Sequence, residues 1–89
     1  MMKKGIVTKY KINRLDYLIL ITLDRLNMTD CYRSMTITEI MSENEYALGV
    51  RTNVYKRIKK LIELGYIKKG VIDNHADTFY ITEVGKKII

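Results

Sequence analysis

Eighty-nine residues, 47% of them hydrophobic, suffice for one small domain with one modest core. The lone cysteine, Cys31, excludes an internal disulfide and a cysteine-built zinc site, and no apolar run approaches the ~20 residues of a membrane span. The formal net charge is +6, and the segment from Leu48 to Ile72 alone accounts for that value, with seven Lys/Arg against the single acid Glu63. The rest of the chain is therefore balanced.

In residues 1–12, Ile6, Thr8, Tyr10 and Ile12 alternate with Val7, Lys9 and Lys11, which predicts a basic arm or short strand ahead of a single domain over 13–89. Lys3 and Lys4 are followed by neither an apolar h-region nor a small-residue cleavage site, so a cytoplasmic protein is expected. The arm either tracks a nucleic-acid backbone or minor groove or is a frayed, solvated terminus.

Asn13 suits a helix N-cap, with Asp16 in the first turn. Over the predicted helix 13–27, Leu15, Leu18, Ile19, Leu23 and Leu26 recur at helical spacing as an inner face, with Tyr17, Leu20 and Ile21 roughly opposite. Two apolar sides need two partners. The second is either a terminal helix of the same chain or another copy, giving a homodimer through helix 13–27.

Asn27 to Ser34 is polar and turn-like. Thr36-Ile-Thr-Glu39 matches the capping box, in which hydroxyl and carboxylate satisfy backbone donors reciprocally. A short second helix, Thr36 to Asn44, follows with Ile37, Ile40 and Met41 inward, and a short strand near Met35 is compatible with it. Residues 44–49 form a turn. A third helix runs from about Val50 to Leu64, and Gly65 stands where a C′ residue enters the left-handed region. Tyr66–Val71 and Thr78–Thr82 read as strands joined by Ile72–Asp77, with Phe79 and Ile81 alternating with Tyr80. Thr82 caps a final short helix carrying Val84, Ile88 and Ile89.

The order helix, helix, helix, strand, strand, helix predicts an α+β fold, mostly α, with a tight helix-turn-helix at its centre. On the third helix, Val54, Ile58, Leu61 and Gly65 fall on the core side. Thr52, Asn53, Lys56, Lys59, Lys60 and Glu63 fall outward at 100° per residue, with Arg51, Tyr55 and Arg57 at the flanks. A helix that was merely solvated would interleave acids with its bases, and only Glu63 is present. A basic face on an otherwise balanced domain is the electrostatic footprint of a nucleic-acid binder.

The run Thr52-Asn-Val-Tyr-Lys-Arg-Ile-Lys-Lys-Leu-Ile-Glu-Leu-Gly-Tyr-Ile-Lys68, followed by Phe79-Tyr-Ile-Thr-Glu-Val-Gly-Lys86, resembles the winged helix-turn-helix superfamily, particularly small bacterial regulators of the MarR type. The pattern covers about half of the chain directly. The resemblance implies a three-helix core, a two-stranded β-wing and a short C-terminal helix, with double-stranded DNA as partner. It also implies that the leading end of helix 50–64 enters the major groove. Arg51, Thr52, Asn53 and Lys56 are then expected near base edges, where Asn matches adenine and Arg or Lys matches guanine. Tyr55, Arg57 and Lys60 are expected at phosphates, joined by Lys68 and Lys69 at the base of the wing. The wing tip departs from the family pattern: Asp73-Asn-His-Ala-Asp77 holds two acids and no Arg or Lys. It is either a solvated turn or a minor-groove contact through Asn74 and His75.

Enzyme chemistry finds no support. His75 is the one histidine, Cys31 has no partner motif, Asp73 and Asp77 are paired by turn spacing alone, and no Gly-rich phosphate loop or metal-ligand cluster occurs. No cofactor, metal or small-molecule ligand is expected. The expected function is a sequence-specific double-stranded DNA binder, a transcriptional regulator reading a near-palindromic site as a homodimer. The alternatives are an accessory DNA-binding protein of a plasmid, phage or conjugative-transfer origin and a winged-helix module for protein–protein contact.

Overall fold

The computed structural model describes residues 12–89, so all of the expected arm but Ile12, its lysines included, lies outside the described residues. Four helices and three short strands follow one another as α1 (Arg14–Arg25), β1 (Met35–Thr36), α2 (Ile37–Glu43), α3 (Arg51–Glu63), β2 (Ile67–Lys69), β3 (Thr78–Ile81) and α4 (Glu83–Lys86). This is the mostly α fold that the element order predicts and the winged helix-turn-helix that the resemblance implies, with the strand at Met35 adding an edge to the sheet.

Local chemistry sets the helix starts. Asn13 and Asp16 form a capping box: the Asp16 amide donates to Asn13 Oδ1 at 2.9 Å, and the Asn13 amide donates to Asp16 Oδ2 at 3.0 Å. Thr36 and Glu39 do the same for α2, at 3.1 and 2.9 Å. Such caps satisfy amides that have no intrahelical acceptor. Helix α3 ends where expected. Gly65 has φ +82°, and its amide and that of Tyr66 return to the Ile62 and Leu61 carbonyls.

The antiparallel sheet has the order β1-β3-β2, with Met35 opposite Phe79 and Ile67 opposite Ile81. The strand β2 is shorter than the apolar run suggests, because Tyr66 is buried as part of the helix stop and the ladder ends after Gly70, whose amide still donates to the Thr78 carbonyl at 2.9 Å while the Val71 amide turns to the Cys31 carbonyl. Beyond it Asp73 and Ala76 exchange two backbone hydrogen bonds of 2.9 Å around Asn74 and His75. Both tip residues have positive φ, 53° and 70°, the geometry of a type I′ turn whose twist suits a hairpin.

The core joins all layers: Ile19 and Leu23 of α1, Ile40 of α2, Val54, Ile58 and Leu61 of α3, and Ile67, Phe79 and Ile81 of the sheet are buried. One expectation for α1 is corrected. Leu20 is not on a second, outward side; it is 0% exposed, beside Ile19. Helix α1 packs against α2, α3, β3 and α4, so its buried arc is wide enough to take in residues 16, 19, 20, 22 and 23. Tyr17 and Ile21 stay at or near the surface. Helix α4 ends at Lys86, before the isoleucines it was expected to carry; Ile88 and Ile89 pack on the core from beyond its end, whereas Val84 on the helix is exposed.

Candidate nucleic-acid interface

Burying Val54, Ile58 and Leu61 turns the opposite side of α3 to solvent. Arg51, Thr52, Asn53, Tyr55, Lys56, Lys59 and Lys60 are all exposed. The leading end is open. Val50 holds the N-cap in an extended conformation but offers no capping hydrogen bond, and Gly49 before it has φ +94° with open space where a side chain would begin. Arg51 leans back toward α2, its Nη1 donating to Thr38 Oγ1 at 2.7 Å, which ties the two helices of the motif at the surface.

The wing closes one side of this surface. Arg51, Thr52 and Tyr55 of α3 face His75 and Asp77 of the hairpin across an open groove of about 480 Å³, floored by Thr36, Ile37 and Phe79. Asp77 is not a bare acid, because Lys69 Nζ lies 3.4 Å from its carboxylate. One of the two wing-tip acids is therefore partly neutralised within the domain. A second groove of about 240 Å³ runs along the other flank of Tyr55, between Lys59, Ile62 and Glu63 of α3 and Lys69 and Phe79 of the sheet. There the Lys59 ammonium stands 5.7 Å from the Tyr55 ring centre, within cation–π range.

The structure gathers Arg51, Thr52, Asn53, Tyr55, Lys56, Lys60 and Lys69 onto or beside this surface, Lys60 with an exposed partner, Glu63, at 3.9 Å. Two of the expected contacts are placed otherwise. Successive strand residues point to opposite faces, so Lys68 looks away from Lys69. It lines a different groove with Thr29, Tyr80, Thr82 and Glu83, on the side of the sheet away from α3.

Arg57 is already engaged. Its Nε and Nη2 donate to the two carboxylate oxygens of Asp16, each at 2.7 Å, in a bidentate pair. Asp16 is 0% exposed and also accepts the Asn13 amide, while Arg57 keeps 30% of its side chain in solvent. The Asp16 hydrogen bonds raise the Arg57 pKa, partial burial opposes them, and the carboxylate charge adds to the rise, so the guanidinium is held firmly protonated. The pair spans 41 residues, and neither side chain carries a local sign of the other. Asp16 reads as a helix-cap residue, and its role in orienting α3 is what the sequence conceals.

No family model matches the chain. The DNA-binding protein TubR of Clostridium botulinum C phage is 34% identical over 74 residues, which cover 83% of this chain and 88% of that protein. The solution structure of the DNA-binding TubR fragment from Clostridium botulinum superposes with a TM-score of 0.65 at 32% identity, covering 86% of this chain and 91% of the fragment. TubR from Bacillus megaterium pBM400 shares the fold, with a TM-score of 0.77 at 23% identity over 91% of this chain and 86% of that one. By sequence and by fold, the chain belongs to the TubR family.

Proposed function

We propose that this protein binds double-stranded DNA sequence-specifically, capturing the duplex through its phosphates and reading base edges with the leading end of α3. One observation carries the reading: a helix buried on Val54, Ile58 and Leu61 shows the solvent a continuous face of Arg, Lys, Asn, Thr and Tyr. The names of its relatives, a DNA-binding phage protein and a DNA-binding fragment, support it. Arg51, Thr52, Asn53 and Lys56 are the proposed base readers. Tyr55, Lys60 and Lys69 are the proposed phosphate contacts, with Lys59 added beside Tyr55. Arg57 is assigned to Asp16 and Lys68 to the far side of the wing, so neither belongs to the proposed contact set. The arm of residues 1–12 is proposed as an additional backbone contact on its charge alone.

The working form is a cytoplasmic homodimer, since two half-sites multiply a specificity that one short helix supplies only in part. Tyr17 and Ile21 on the outer side of α1 are the proposed contact. Between regulating a promoter and marking a plasmid, phage or transfer origin, the phage source of its relative favours the second.

Selection from a random duplex pool at about 150 mM salt tests this, because nonspecific phosphate binding is already much weakened there. A two-fold symmetric motif supports the dimeric regulator, and a directly repeated motif supports the origin-marking role. Recovery without enrichment ends the sequence-specific reading.

A further inference from the structure

Three helices among the described residues begin on a side chain that caps them, Asn13, Thr36 and Thr82, whereas α3 begins on valine. Valine is among the poorest N-caps because it offers no acceptor to the first amides. It is not there to fill the core either, since Val50 is 61% exposed. Neither helix stability nor burial in this domain accounts for an apolar, β-branched side chain at that place. Its neighbours do. Val50 precedes Arg51 and Thr52, which line the groove facing the wing, and the space beside Gly49 before it is open. In the major groove the one apolar mark on a base pair is the C5-methyl group of thymine, which hydrogen-bonding side chains cannot sense.

We propose that Val50 is a specificity-determining residue that packs on a thymine methyl at one position of the bound site. The inference rests on the DNA-reading role proposed above for α3. It divides the labour at the leading end, where Arg51 and Asn53 read donors and acceptors and Val50 reads shape and apolarity. An Asp, Asn, Ser or Thr at this place would cap the helix and bring a polar atom against the methyl. The valine therefore sacrifices helix stability for recognition.

The test uses the enriched site from the pool, rebuilt with deoxyuridine in place of thymidine at one position at a time, which removes only the methyl group. The full chain is expected to lose about fourfold in affinity at one recurrent thymine, the worth of one buried methyl. Val50→Ala should bind the thymine site more weakly and be indifferent to the same replacement. Val50→Ser, which restores a cap, should unfold at a higher temperature than the natural chain while losing the methyl response. This opposite movement of stability and reading is one that a purely structural role does not produce.

An enriched site with no recurrent thymine, or a uracil response that is the same in Val50→Ala and in the natural chain, overturns the inference and leaves the DNA-reading role standing. A pool that yields no enriched sequence removes both.

Discussion

Removing the buried Asp16 carboxylate leaves the half-buried Arg57 guanidinium without its partner and the Asn13 amide without its acceptor. Breaking a buried pair from one side costs ~3–5 kcal/mol, and the partial exposure of Arg57 lowers this to about 2–3 kcal/mol for Asp16→Ala. A urea titration should show a lower midpoint with an unchanged slope. Arg57→Ala should strand a buried carboxylate and cost at least as much. If Arg57 instead held a phosphate, its loss would reduce the salt slope of DNA binding by about 0.9, and no such reduction is expected. Two glycines separate strain from crowding. Gly65→Ala meets open space but the wrong φ and should cost about 1 kcal/mol. At Gly85, a Cβ would collide with the Tyr66 carbonyl oxygen and crowd Ile81, so Gly85→Ala should cost roughly 1–3 kcal/mol, as over-packed sites do. Thermal melts of the two variants give the comparison. Gly65 is legible in the sequence as a helix stop, whereas nothing local to Gly85 announces the backbone pressed against it.

At the scale of elements, the wing is the part whose chemistry the sequence half reveals. The acids at 73 and 77 are visible in the chain, but the pairing of Asp77 with Lys69 depends on how the hairpin closes. The divergence of Lys68 and Lys69 follows from strand alternation once β2 is accepted as a strand. What remains hidden is which face meets α3, because that depends on Ile67 being the inward residue. Lys69→Ala is therefore expected to weaken binding to every duplex alike and to flatten the salt slope by about 0.9, while Lys68→Ala leaves the slope unchanged. Titrations at several salt concentrations read both. The starts of α1, α2 and α4 and the stop of α3 lay in the open, since their caps are written within four residues. The burial of Leu20 did not, because the width of a helix's buried arc is set by how many elements surround it, and α1 lies against four.

For the molecule as a whole, a net charge of +6 concentrated on α3 and the strand after it makes association sensitive to ionic strength. Between 50 and 200 mM salt the affinity for any duplex should fall along a straight line in log–log coordinates, with a slope near −0.9 for each phosphate neutralised. A flat response would deny the electrostatic capture proposed for this family member. The core answers to a different variable. It draws on helices and sheet alike, so heat or urea should unfold the described domain in a single transition.

Thr36 is at once the last residue of β1 and the N-cap of α2, with no residue between the two duties. Since β1 is paired to β3, the far strand of the wing hairpin, wing and helix pair meet without a hinge. A push on the hairpin is then a push on α2 and, through the Arg51–Thr38 contact, on the start of α3. In amide hydrogen exchange, the protected amides of β3 and α2 should open together, with one common free energy, as parts of one cooperative unit. Thr36→Ala, which removes the cap but leaves the strand backbone, should split that single opening in two and let α2 exchange first. The domain would then approach DNA as one stiff lever, its wing fixed relative to the helix it accompanies.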